Sequence, residues 1–374
     1  MSELIFYNSY DIFCNGANQK KLDNIPGGNY FSSYFDIFSQ NISVVDRTDT
    51  ITIPLKVKVL DFMKMPEFEK FDKTFEQVCD ERAKYLLQFA ESKNRKIAVM
   101  YSGGIDSTLI LCSFIKNAKK EQLKNILVLL SDESIRENVN FYHDHIIKNF
   151  ECVSSYKFPY YLGHDDYLFT SGENADQLFG SQVNGVMAKK IPFSSLFDSF
   201  DKMEGYVIDF FNERLSPSGK EKYSEGMLSL CKKIVDGAPI ELNNVYRFFW
   251  WINFTTKWQS VYTRILPHTI KKDTLKLEEN YTTFFHPKEF QLWALNNVDV
   301  FSSDVDTCGK KVSKEYIFDV NKDASYLNKQ KVGSLAHMVR RKEISYTIDE
   351  NLNFGEEYPG QEYYNYHNDF VEAK

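Results

Sequence analysis

Cysteine is sparse and unpaired in this chain. The six cysteines, Cys14, Cys79, Cys112, Cys152, Cys231 and Cys308, include no Cys-x-x-Cys pair, which excludes a zinc ribbon and a thioredoxin-like redox pair. Their scatter over 374 residues fits a reducing, cytoplasmic setting and not a disulfide scaffold. Long apolar runs are also lacking. None approaches the roughly 18 residues that cross a bilayer, so no membrane association is expected. The opening Met1-Ser2-Glu3-Leu4-Ile5-Phe6-Tyr7-Asn8 has no basic stretch followed by an apolar one, so no secretory leader is expected. Positive charge is in deficit: a formal net charge of −7 argues against a broad nucleic-acid-binding face. What remains, 43% hydrophobic and 16% aromatic content, is enough for a globular protein of two domains with a sizeable core.

The hydrophobic pattern alternates between strand and helix. Residues 1 to about 70 are turn-rich (Asn15-Gly16, Pro26-Gly27-Gly28) and then alternate from Ile51 to Leu60 in a β-like way. Phe71 to Ser92 has helical spacing, and Lys96 to Tyr101 reads as a buried strand. Ile126 to Leu130 and Asp166 to Thr170 read as two more strands, with a helix over Glu137 to Phe150. Strands alternating with helices predict an α/β fold, a parallel sheet with helices on both faces. From about residue 190 the pattern is helical, and the aromatic-dense Tyr246 to Ile265 reads as a buried helix. The segment from Asp349 is acidic and aromatic. The expected divisions are a small N-terminal region over 1–70 with some β structure, a main domain over 71–340, and a tail over 341–374.

The stretch Ser102-Gly103-Gly104-Ile105-Asp106-Ser107 separates the first of these strands from the apolar run Thr108 to Ile115. A glycine loop between strand and helix points backbone N–H groups at an anion, where the helix dipole also favours negative charge. Glycines let the backbone approach a phosphate closely, and Ser102, Ser107 and Thr108 add hydroxyls. Asp106 would repel a bare phosphate, so it suggests a bridging cation, Mg2+, held by oxygen ligands. The spacing matches neither the loop ending in Gly-Lys-Ser/Thr nor Gly-x-Gly-x-x-Gly. The alternative is an ordinary strand–helix turn.

A second segment follows the third strand: Ser171-Gly172-Glu173-Asn174-Ala175-Asp176-Gln177-Leu178-Phe179-Gly180. Its carboxylates, Glu173 and Asp176, would share a face on a helix, and helix capping alone could explain them. Taken with the first loop, Asp106 and Asp176 could each give one carboxylate to Mg2+, leaving Glu173 for proton transfer.

Ser-Gly-Gly-x-Asp-Ser resembles the PP-loop of the ATP pyrophosphatase group, which cleaves ATP between its α- and β-phosphates. Ser-Gly-Glu-x-Ala-Asp-x-Leu-Phe-Gly resembles the second signature of the asparagine synthetase family, whose synthetase domain carries the same loop. Ser131-Asp132-Glu133-Ser134 is also similar to that family, although a helix N-cap explains these residues as well. The resemblance spans roughly residues 75 to 335. It implies that Ser102, Gly103, Gly104, Asp106, Ser107, Ser171 and Gly172 bind ATP and its pyrophosphate, and that Leu129 and Leu130 meet adenine. It also implies that Glu173 is the base for the attacking amine. Gly309-Lys310-Lys311-Val312-Ser313-Lys314-Glu315-Tyr316-Ile317 resembles the family's late lysine segment and implies that Lys314, with Lys311 next, touches phosphate and the acyl centre. Lys331 is a further candidate for a phosphate contact.

The chain departs from that pattern in several places. Asn174 replaces a glycine and Gln177 an acid. The family's Pro-Phe-Leu-Asp is only echoed by Phe284-Phe285-His286-Pro287-Lys288-Glu289-Phe290. Lys257, Trp258, Gln259 and Arg264 stand near the acceptor segment; Lys257, Trp258 and Arg264 are candidates for a substrate carboxylate or for core packing with snorkelling cations. Residue 2 is serine where glutamine-dependent members have a catalytic cysteine, so no glutaminase is expected. The expected activity is ATP-dependent adenylation of a small carboxylate, then amide formation with ammonia or an amine. A homodimer is compatible with the chain. The rival readings are a PP-loop enzyme acting on tRNA and a nonenzymatic nucleotide-binding regulator.

Overall fold

The computed structural model describes residues 3–7, 28–38, 44–51, 58–298, 310–328 and 347–355. Cys14, Asn15-Gly16, Pro26-Gly27, most of the Ile51–Leu60 alternation, Cys308, Gly309, Lys331 and the tail beyond Gly355 lie outside these residues.

The strands are β1 (Leu4–Tyr7), β2 (Lys96–Met100), β3 (Ile126–Leu130), β4 (Glu151–Ser154), β5 (Tyr167–Ser171), β6 (Tyr281–Thr283) and β7 (Thr347–Asp349). Contacts divide the chain into two compact units. One comprises residues 1–65, 180–267 and 342–374; the other comprises residues 66–179 and 268–341. Residues 180–267, read from the sequence as part of a 71–340 domain, therefore group with the chain's two flanks. Their aromatic helices explain this. Phe211 and Phe249 each pack a ring 6.2 Å from that of Phe38, on the helix Gly28–Phe38. Gln259 donates to the carbonyls of Ile5 and Leu60.

In that first unit β1 pairs antiparallel with β7. The expected Tyr246–Ile265 helix is two helices, Val245–Thr256 and Trp258–Thr263. Trp258 is fully buried, with its ring 5.1 Å from Phe254, and Lys257 Nζ donates to the Phe38 carbonyl.

The second unit is a five-stranded, wholly parallel sheet in the order β4-β3-β2-β5-β6, flanked by helices, as the alternation predicts. The short edge strands β4 and β6 carry too little pattern to be read from sequence. Helix α1 (Phe75–Ser92) starts later than its apolar spacing suggests because Thr74 caps it, accepting from Gln77 N while Gln77 reaches back to Thr74 N. Helix α2 (Ile105–Asn117) crosses from β2 to β3. Helix α3 (Asp132–Glu137) follows β3 with Ser131 as its N-cap and with Asp132 and Glu133 exposed. The expected Glu137–Phe150 helix is interrupted: Asn138 leaves helical geometry, and the chain then passes through a π turn at Tyr142–Ile146. Among the described residues no helix is long and apolar enough to cross a membrane.

Strand order dictates where a ligand can sit. After β2 the chain builds outward to β3 and β4, then returns to the other side of β2 with β5 and later β6. The order reverses between β2 and β5, and in open parallel sheets the crevice beyond the carboxyl ends at such a reversal receives ligands. The segments after β2 and β5 are the two singled out from the sequence.

Candidate active site

The loop after β2 is fixed by its own hydroxyls. Ser107 Oγ accepts from Ser102 N at 3.1 Å, Ser102 Oγ accepts from Gly104 N at 3.3 Å, and the two hydroxyls lie 3.2 Å apart. Gly104 is the N-cap of α2 and supplies no side-chain cap. A helix start without one keeps N–H donors for a ligand. Gly103 has φ +75°, and a Cβ there would lie 2.4 Å from the Ser134 carbonyl oxygen and 2.6 Å from Glu137 Cβ. The loop is therefore pressed against α3 so closely that only glycine fits.

The segment after β5 turns toward this loop. A Cβ on Gly172 would lie 3.0 Å from Asp106 Cβ, so the small residue is what lets the turn approach Asp106. Ser171 is buried; its hydroxyl accepts from Glu173 N at 3.4 Å and its carbonyl from Phe284 N at 3.1 Å. Glu173 is half-buried in the turn before helix α4 (Ala175–Phe179). Asn174 has φ +71° and accepts from Thr283 Oγ1 at 3.0 Å. Asparagine is among the few non-glycine residues that visit this left-handed region readily, so it holds this turn without glycine.

Asp106, at the start of α2, and Asp176, on α4, converge on a single ammonium. Lys310 Nζ lies 2.6 Å and 2.7 Å from the two Asp106 carboxylate oxygens and 2.6 Å from Asp176 Oδ1. The Lys310 and Asp106 side chains are largely buried, whereas Asp176 is mostly exposed. Burial alone would lower the Lys310 pKa, but attraction to Asp106 and then Asp176 outweighs it and the net shift is upward. Lys310 immediately precedes helix α5 (Lys311–Asn321).

The late lysines are arranged differently from the sequence expectation. Lys314 is buried and its Nζ donates to the Leu327 carbonyl at 3.1 Å. Lys311 is half-exposed and pairs with Glu315 at 3.9 Å. Lys310 is the member of the lysine segment that reaches the carboxylates. It sits in the quoted segment, one helical turn ahead of Lys314.

On the other side of the loop, Leu129 is fully buried and its carbonyl accepts from Tyr101 N at 2.8 Å. Leu130 instead opens onto a cleft of about 410 Å³ at the carboxyl ends of β3 and β4, lined also by Ser131, the acidic Asp132 and Glu133, Cys152, Val153, Ser154 and Tyr156. Of the two candidates for a nucleotide base, Leu130 lines the cleft and Leu129 is committed to the sheet. From the acceptor segment, Phe284 and Phe285 are fully buried core.

Helix α5 is anchored by a polar cluster that sequence reading did not find, because its members are scattered along the chain. Asp80 on α1 accepts from Tyr316 Oη at 2.5 Å and Asn117 Nδ2 at 2.9 Å, and pairs with Lys116 Nζ at 2.8 Å. Burial pushes its carboxyl up, but the bonds from Lys116, Tyr316 and Asn117 outweigh that and hold it below the usual aspartate value. This contribution to stability is present above the unfolded-state pKa of about 3.9 and is lost as pH falls through the lower native value. Asp80→Asn is expected to cost about 2 kcal/mol at neutral pH and to flatten the stability loss below about pH 4. Urea midpoints measured from neutral to acid pH check this, and parallel acid limbs for the two proteins would refute it.

No protein-family model matches this chain, and no curated protein matches it.

Proposed function

We propose that this chain is an ATP-dependent amide-forming ligase. It adenylates a small carboxylate, releases pyrophosphate, and passes the acyl group to ammonia or an amine. The observation that carries this reading is the convergence of Asp106 and Asp176, on the helices that follow β2 and β5, on the Lys310 ammonium. Support also comes from the resemblance of the Ser102–Ser107 and Ser171–Gly180 segments to the PP-loop and second signature of the asparagine synthetase family.

In the reaction, a substrate carboxylate oxygen attacks the α-phosphorus of ATP. The bond to the bridging oxygen breaks and pyrophosphate leaves. The amine then attacks the acyl carbon and AMP departs. Ser102, Gly103, Gly104 and Ser107 cradle the leaving pyrophosphate with N–H and hydroxyl donors, together with the Ser171-Gly172 turn. Leu130 and the open cleft beside it receive the base. Glu173 takes the proton of the attacking amine, which is general-base work. Lys310 takes the phosphate-facing role implied for Lys314 or Lys311, since its ammonium already lies beside Asp106. A fixed charge aimed at developing negative charge is a large catalytic term.

Asp106 and Asp176 suit Mg2+: both are hard oxygen donors and they already close on a cation. When bound, Mg2+ would neutralise charge on the departing pyrophosphate. A cytoplasmic location belongs to the same proposal, in keeping with the free thiols of Cys79, Cys112 and Cys231. The test is ATP–pyrophosphate exchange and pyrophosphate release with a panel of small carboxylates, with and without amines. Carboxylate-dependent pyrophosphate and AMP are expected, and ADP and phosphate as the sole products would refute the reading.

A further inference from the structure

We propose that the Lys310 ammonium is an exchangeable stand-in for the divalent cation. It holds Asp106 and Asp176 together until nucleotide phosphate draws it away, so that cation and nucleotide bind with positive coupling. This rests on the reading of Asp106 and Asp176 as the cation's ligands.

An ammonium has three N–H donors. Lys310 directs short, charge-assisted contacts at three carboxylate oxygens, Asp106 Oδ1, Asp106 Oδ2 and Asp176 Oδ1. Its donor capacity is filled, so it cannot serve a phosphate without leaving the carboxylates. A divalent cation faces the same obstacle from the other side. Mg2+ takes its oxygens at about 2.0–2.1 Å and would occupy the space that Nζ now fills. Placing both cations between the same two carboxylates is strongly repulsive. Two carboxylates with one ammonium carry a net charge of −1, whereas two carboxylates with a divalent cation are neutral. The exchange therefore gains most when the displaced ammonium re-pairs with an anion, and ATP phosphate at the Ser102–Ser107 loop is that anion. Lys310 is suited to the move. It stands just ahead of the first residue of α5, so rotation about its own side-chain torsions would withdraw Nζ while α5 stays anchored through Tyr316 and Asp80.

The test measures Mn2+ binding to the full chain by the electron paramagnetic resonance of free Mn2+, first without nucleotide. Lys310→Met is expected to bind Mn2+ about tenfold or more tightly than the wild type, and Lys310→Arg to remain as weak as the wild type. Lys310→Gln repeats the comparison if the methionine variant melts early. With α,β-methylene-ATP added, the wild type is expected to gain Mn2+ affinity by a larger factor than Lys310→Met. A methionine or glutamine variant that binds Mn2+ no more tightly than the wild type overturns the exchange, whatever the nucleotide does. If the variants tighten Mn2+ but α,β-methylene-ATP does not bind the wild type, the ligase reading falls and the coupling with it, while the competition between Lys310 and the cation stands.

Discussion

Replacing Asp106 with asparagine is expected to lower carboxylate-dependent pyrophosphate release by roughly a hundred- to a thousandfold while the protein stays folded. The amide would keep the shape of the side chain but lose the charge on which the site is organised. Two of the three short contacts to Lys310 end on Asp106, and Asp106 stands at the start of α2, beside the N–H groups that would receive pyrophosphate. The exposed Asp176 is the lesser partner: it makes one contact to Lys310 and is better solvated, so Asp176→Asn should cost less. Steady-state pyrophosphate release, with circular dichroism to establish the fold, decides the matter. An Asp106→Asn protein within about threefold of the wild type would mean that the proposed site lies elsewhere, since removal of a single preorganised group normally costs far more.

Gly103→Ala should be the most damaging small substitution in the sheet unit, lowering stability by about 3 kcal/mol. Two independent costs add. At φ +75° an L-residue carries roughly 1–2 kcal/mol of strain. The new methyl group would also stand 2.4 Å from a backbone oxygen and 2.6 Å from a Cβ on α3, neither of which is the far end of a flexible side chain. Relief requires α3 and the loop to part, which would also open the loop proposed to hold phosphate. Urea unfolding reads the first effect and nucleotide-analogue binding the second. A loss under about 1 kcal/mol would show that the loop and α3 are not held as described.

The sequence carried the central sheet because β2, β3 and β5 are buried on both faces and read as continuous apolar runs, which a parallel sheet requires. Ile97, Val99, Val128 and Phe169 are all fully buried or nearly so. The edge strands escaped because β4 alternates weakly, with Glu151 and Cys152 exposed, and β6 has only three residues. At the site, glycine geometry and short-range spacing were readable: Asp106 and Asp176 do meet across the end of the sheet. The left-handed conformation of Asn174 is a property of the backbone and leaves no mark in the sequence pattern. The contact of Lys310 with both carboxylates is not legible in the sequence. The periodicity of α5 indicates which residues turn inward, not which lysine lies just ahead of its first turn.

The chain enters each unit more than once, and this bears on how the protein is made. β1 bridges to Val59 early but completes its antiparallel ladder only with β7, and β5 finds β6 only after the intervening residues of the other unit have been added. A ribosome delivering the chain from its N-terminus cannot complete either unit before starting the next. Domain-by-domain folding during synthesis, the usual protection for long chains, must wait until late. The nascent chain must instead hold the apolar strands β2, β3 and β5 with one edge unpaired, an arrangement that invites pairing with other chains.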